Sequence, residues 1–201
     1  ASETENWVHE LSKIRLDHTF YNLSRGGTSI QFHLGVLEKA KEKLNPDITI
    51  FQYTSAGRLT WWEDFDIMQY IDQDSENYYT LSHALCSKVD QINIGTIYGN
   101  KFIKTDRAKH KFGKLYYNRV GFEAMKIELK VYIDYAKKVS DFQFHHKSSP
   151  HVGENELSVQ EYLGDKKFNK FTIDDGAHFG DAGNKWQAQW INEHLIAKGL
   201  L

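Results

Sequence analysis

The stretch "TSIQFHLGVLEKAKEKLNPDITIFQYTS", Thr28 to Ser55, decides the fold class. In its first half Ile30, Leu34, Leu37 and Leu44 recur along one helical face. Asn45-Pro46 ends that pattern, because a proline disfavours the helical conformation of the residue before it. The second half, Asp47 to Ser55, reads as a strand buried on both faces, as a parallel strand is. A helix followed by such a strand across a short connection is a building unit of α/β folds.

The same order holds upstream. "NWVHELSKIRL", Asn6 to Leu16, places Trp7, Val8, Leu11, Ile14 and Leu16 at helical spacing with Asn6 as the N-cap, and "HTFYNLS", His18 to Ser24, is an extended run closed by Gly26 and Gly27. Helix then strand, twice over, predicts a three-layer α/β/α domain with a mostly parallel sheet, spanning residues 1–201 as one unit. The strand expected before the first helix is missing. Downstream, Leu59 to Asn118 has no clean period, and "LTWWEDFDIMQYI" reads as either a helix or an aromatic surface loop. A helical pattern returns over Arg119 to Lys138 and is followed by an extended "VSDFQFHH". Ser148 to Lys170 reads as a long loop feeding a last strand, "KFTID".

Composition narrows the function classes. The 201 residues suit one domain with a sizeable core, to which five Trp, eleven Tyr and twelve Phe contribute. Twenty-five basic and 27 acidic residues are well mixed for a net charge of −2, which disfavours nucleic acid and anionic lipid as partners. Cys86 stands alone, so an internal disulfide and a thiolate-rich metal site are excluded, and a buried small hydrophobe is its expected role. No apolar run approaches the roughly 20 residues of a membrane span, and "ASETENW" lacks signal-peptide character. A soluble, cytoplasmic or virion-associated protein is expected. Phosphate-loop, dinucleotide and G-x-S-x-G fingerprints are absent, so no cofactor is expected and the ordinary α/β-hydrolase plan is disfavoured.

Chemistry concentrates in "FTIDDGAHFGDAGNKWQAQWINEHL", Phe171 to Leu195. A carboxylate three residues before His178 can turn back across a Gly-containing loop and accept the imidazole proton. That fixes the tautomer and stabilises the imidazolium formed when the other nitrogen takes a proton. A structural reading stands beside it: a turn with solvated acids, in which Asp181 caps a helix starting at Ala182.

"DGAHFGDAGNKWQAQWI" resembles the C-terminal block of the SGNH (GDSL-type) hydrolases, where a D-x-x-H motif followed by P-x-x-x-G feeds a terminal helix. Phe179 stands where proline is usual and Gly183 at the expected glycine. The resemblance implies Asp175 as the orienting acid, His178 as the base, and a flavodoxin-like three-layer fold. "YNLSRGGTS" is similar to the family's N-x-G-x-x-G turn, which implies that Gly27, beside Gly26, offers its backbone N–H to an oxyanion, with Ser24 in the place of the first glycine. "FQYTSAGR" occupies the place of the G-x-N-D block, with Ser55 near the usual asparagine and Arg58 close behind, a combination similar to a divergent, phage-type branch. A hydroxyl can donate to an oxyanion, and an arginine can hold a carboxylate or phosphate at two points.

The family's nucleophile lies in a G-D-S turn that this sequence does not contain. Ser2 has no strand ahead of it to hold its hydroxyl, and Ser24, Ser29 and Ser55 are substitutes by position only. A fragment lacking its first strand, or a descendant that has lost its nucleophile, is expected, with a second segment or an oligomer completing the sheet.

Two further clusters bear on function. His145, His146 and His151, with Glu154 and Glu156, offer metal-type ligands, but adjacent histidines on a strand point to opposite faces, and no metal is expected. Trp61 and Trp62, with Phe65, form either a stacking wall for a sugar or acyl group or a cap over the sheet. The two functional expectations are an SGNH-like ester hydrolase acting on a small-molecule or glycan ester, such as a carbohydrate O-acetyl ester, and an inactive binding or structural protein on the same scaffold.

Overall fold

Asn6 opens the first helix, α1 (Trp7–Ile14): its side-chain oxygen accepts the His9 amide at 3.0 Å, satisfying one of the donors a helix start leaves open. The structure is a computed structural model that describes residues 6–24, 29–53, 127–147, 157–173 and 178–201, and the backbone of 58–62 and 89–93. Ser29 caps the second helix, α2 (Ile30–Leu44), by accepting the Phe32 amide at 3.2 Å. Asn45 ends it in the left-handed region, at φ 44°, with its N–H on the Lys41 carbonyl. The pre-proline residue thus leaves the right-handed helical region, as predicted.

There follow β1 (Ile50–Tyr53), β2 (Arg58–Trp62), β3 (Val89–Asn93), α3 over residues 127–139, β4 (Phe142–His145), α4 (Val159–Leu163), α5 (Asp165–Phe171) and α6 (Asp181–Ala197). β1 and β4 are parallel, with Ile50 opposite Phe142 and Tyr53 opposite His145. β2 and β3 form a separate antiparallel pair, Arg58 opposite Asn93 and Trp62 opposite Val89. The molecule is therefore mixed α/β, with a two-stranded parallel sheet.

Side-chain alternation along the parallel pair sends its two apolar sets to opposite faces. Phe142 and Phe144 pack with Leu11 of α1 and Trp190, Ile191 and Leu195 of α6. Phe51 and Tyr53 pack instead with Ile30 and Leu34 of α2 and Leu129, Ile133 and Ala136 of α3. Helices cover both faces of the pair. Trp7 ties α1 to β1 by donating to Gln52 Oε1 at 2.7 Å, and Arg15 ties α1 to α6 by donating to Asn192 Oδ1 at 2.7 Å. A second set on α2, Phe32, Val36 and Ala40, is also buried, and β2 lies against this helix.

The amino ends of the parallel strands are clasped. One carboxylate oxygen of Asp141 accepts the Thr49 amide at 2.7 Å and its hydroxyl at 2.6 Å, while the Asp141 and Phe142 amides donate back to the Thr49 carbonyl. This double clasp sets the register of β1 against β4. Beyond β4, the His145 amide donates to the Leu157 carbonyl at 2.8 Å, and His145 makes a single parallel bridge with Ser158.

Several expectations are corrected. "KFTID" is not a strand: residues up to Phe171 belong to α5, and what remains is one antiparallel bridge, Thr172 to Phe179. The long loop expected over 148–170 contains α4 and α5, with Ser158 capping α4 through the Glu161 amide. Residues 58–62 and 89–93 are strands, where the aromatic run suggested a helix or loop and the second stretch showed no period. The run from His18 to Ser24 joins no ladder among the described residues. Leu16 lies beyond α1, 87% exposed. Gly180, not Asp181, stands at the N-cap of α6, and Asp181 is its first residue, paired with Lys185 at 2.8 Å.

Candidate active site

The two parallel strands end side by side at Tyr53 and His145, and in α/β folds the carboxyl ends of parallel strands are where ligands bind. The connection from Asn45 to Thr49 puts the end of α2 beside the start of β1, so the start of α2 lies toward the carboxyl end of β1. Residues 25–28 lead into α2 and residues 54–57 follow β1 in the sequence. Gly26, Gly27 and Ser55 fall in them, outside the described residues, as does Asp175 in 174–177. Arg58, Trp61 and Trp62 lie on β2, of which the backbone is described.

His178 is exposed and sits at the end of a closed backbone loop. The Ile173 amide donates to the His178 carbonyl at 2.9 Å, and the Gly180 amide donates to the Phe171 carbonyl at 2.9 Å. These two bonds tie Phe171 and Ile173 to His178 and Gly180 immediately before α6. The next residue, Phe179, is buried and its ring is boxed by His146 at 4.3 Å, Phe168 at 5.1 Å and Phe171 at 5.8 Å between centroids. Gly183 completes the box: a Cβ there would stand 2.6 Å from Phe179 Cγ and 2.9 Å from the Phe171 carbonyl oxygen, closer than van der Waals contact permits. The glycine of the motif is needed for this close approach of α6 to the loop.

The two adjacent histidines face different neighbours. His145 stacks on Tyr53 with centroids 4.2 Å apart and rings 11° from parallel. Burial, with the Lys137 charge adding to it, holds its imidazole pKa at about 4, so it is neutral at physiological pH. Its Nε2 is buried with no hydrogen-bond partner among the described residues. His146 instead packs against Phe168 and Phe179, and its Nδ1 lies 3.2 Å from Oε1 of Gln187, a buried residue of α6. The amide oxygen only accepts, so His146 carries its proton on Nδ1. The described residues hold no group of three or more His, Cys, Asp or Glu side chains suited to a metal, and His151, Glu154 and Glu156 lie outside them.

Two substitute nucleophiles can be followed. Ser29 is fully buried and its hydroxyl oxygen is engaged as the α2 cap, so it is not offered to a substrate. Ser24 is exposed, donating its hydroxyl to Asn22 Oδ1 at 2.6 Å. Ser2 lies outside the described residues. Sequence reading singled out Phe179 and His146 separately, and did not bring them together or with Gln187. The signal available was the position of His146 just past an extended run, next to a strand end where sites form.

Comparison of the chain with protein-family models, curated proteins and solved structures gives no match. No helix among the described residues is long and apolar enough to cross a membrane.

Proposed function

We propose that the chain is an SGNH-like serine ester hydrolase, in which His178 is the general base, Asp175 orients it, and Gly27 N–H with the Ser55 hydroxyl stabilises the oxyanion. The observation that carries this reading is the loop closed by the Ile173 to His178 and Gly180 to Phe171 bonds, with Gly183 packed beneath Phe179 at the start of the terminal helix. It gives the D-x-x-H-x-x-x-x-G pattern a physical basis: an exposed imidazole on a pinned backbone. The parallel pair covered by helices on both faces is compatible with a three-layer α/β/α domain with a mostly parallel sheet, completed beside β1 by a further segment or subunit. Trp61 and Trp62 suit the sugar of a carbohydrate O-acetyl ester, and Arg58 a substrate carboxylate.

The reaction is an acyl transfer. A serine attacks the ester carbonyl as His178 takes its proton, the alcohol leaves with that proton, and water repeats the sequence to release the acid. The test is acetate release from p-nitrophenyl acetate and from an O-acetylated oligosaccharide. His178→Ala lowers turnover of both by a factor on the order of a thousand. Trp61→Ala raises KM for the oligosaccharide alone. Turnover unchanged in His178→Ala contradicts the reading.

A further inference from the structure

We infer that His146, keyed by Gln187, is a positioning residue for His178, an assignment that takes its catalytic meaning from the hydrolase reading. The chain of contact is continuous. Gln187 sits two turns into α6 and is 1% exposed, and its Oε1 takes the Nδ1 proton of His146. That bond fixes the rotation of the imidazole about its last side-chain torsion, which packing alone leaves broad. The ring so fixed meets Phe179 at 71°, edge to face, with 4.3 Å between centroids. Phe179 is covalently next to His178, whose carbonyl is one of the two acceptors closing the loop.

A second tie from α6 fixes the same backbone. Asn184, one turn into α6, donates its side-chain amide to the Phe179 carbonyl at 3.3 Å. The backbone of Phe179 is thus held by α6 directly, while its ring is held by α6 through His146. An exposed imidazole gains precision from such support, since small displacements of a base from its proton donor cost rate steeply. His146 directly follows β4, so the arrangement transmits the position of the parallel pair to the loop that carries His178.

The experiment uses the full chain labelled with ¹⁵N, comparing wild type with His146→Phe, which keeps a ring and drops the donor, and Gln187→Met, which drops the acceptor. Amide exchange is read at Ile173 and Gly180, whose N–H groups close the loop, with the Asp141 amide at the opposite strand ends as reference. Imidazole ¹⁵N spectra report the Nδ1–H tautomer of His146 and the environment of His178. Both variants accelerate exchange at Ile173 and Gly180 by about tenfold, leave Asp141 unchanged, and shift the His178 imidazole signals. Gln187→Met also removes the fixed Nδ1–H signature of His146. Wild-type exchange at Ile173 and Gly180 with unmoved His178 signals overturns the inference. So does equal acceleration at Asp141, which would make the bond a general core contact. None of these readouts needs turnover, so a wild-type chain that takes no fluorophosphonate adduct contradicts the hydrolase reading while the positioning claim is still decided.

Discussion

At Gly183 a motif position and a packing requirement coincide. The atoms a Cβ would meet are Phe179 Cγ and the Phe171 carbonyl oxygen, a boxed ring and a hydrogen-bonded backbone, neither of which can swing away like the end of a flexible side chain. Gly183→Ala is therefore expected to lower stability by about 2 kcal/mol through overpacking, read as a lower urea midpoint, and to slow any reaction that depends on His178. His145 gives a prediction with a sign. Its pKa is about 4 in the fold against 6.5 when exposed. Above pH 6.5 both states are neutral and the histidine contributes no pH dependence. Between pH 6.5 and 4 the unfolded chain takes the proton first, so stability falls by about 3 kcal/mol across that window. His145→Phe keeps a ring on Tyr53 and flattens the fall, checked by urea unfolding at pH 7 and at pH 4.5. At this scale the spacing of His178 and Gly183 could be read because it is local. The box around Phe179 was not, since its walls come from residues 146, 168 and 171 and only the fold assembles them.

Elements were legible where capping and periodicity are local. Asn6 caps α1, Asn45-Pro46 ends α2, and the runs that became β1 and β4 are short and rich in aromatic or β-branched residues, whereas Ser29, read only as a substitute nucleophile, turned out to be the cap of α2. α4 and α5 were missed for a physical reason: each has a single buried residue, Val159 and Phe168, so neither shows an apolar stripe, and lysines dominate the rest of α5. The break between them is Gly164, at φ 72°, a conformation glycine adopts readily. The element-scale test is the clasp on β1 and β4. Asp141→Ala leaves the Thr49 amide and hydroxyl without their shared acceptor and should cost about 2–3 kcal/mol, whereas Asn6→Ala, which loses one cap bond, should cost about 1 kcal/mol. Equal urea midpoints for the two variants would contradict this ranking.

Over the whole molecule, the α/β class followed from a helix and a strand joined by five residues, but strand pairing did not. Pairing is non-local: β1 meets β4 across some 90 residues of chain, and β2 pairs with β3 in a stretch whose sequence carries no clean alternation. Of the proposed site, the base and its orienting acid, His178 and Asp175, could be read from the sequence because they lie three residues apart. A nucleophile for the proposed reaction could not be read in this way, because the fold would have to bring it to His178 from elsewhere in the chain. Labelling of the intact chain by a fluorophosphonate, with mass mapping of the modified peptide, addresses both together. The account predicts one adduct, on a serine, that is lost in His178→Ala and slowed in Asp175→Asn. An unlabelled wild-type chain, or an adduct that persists undiminished in His178→Ala, would contradict it.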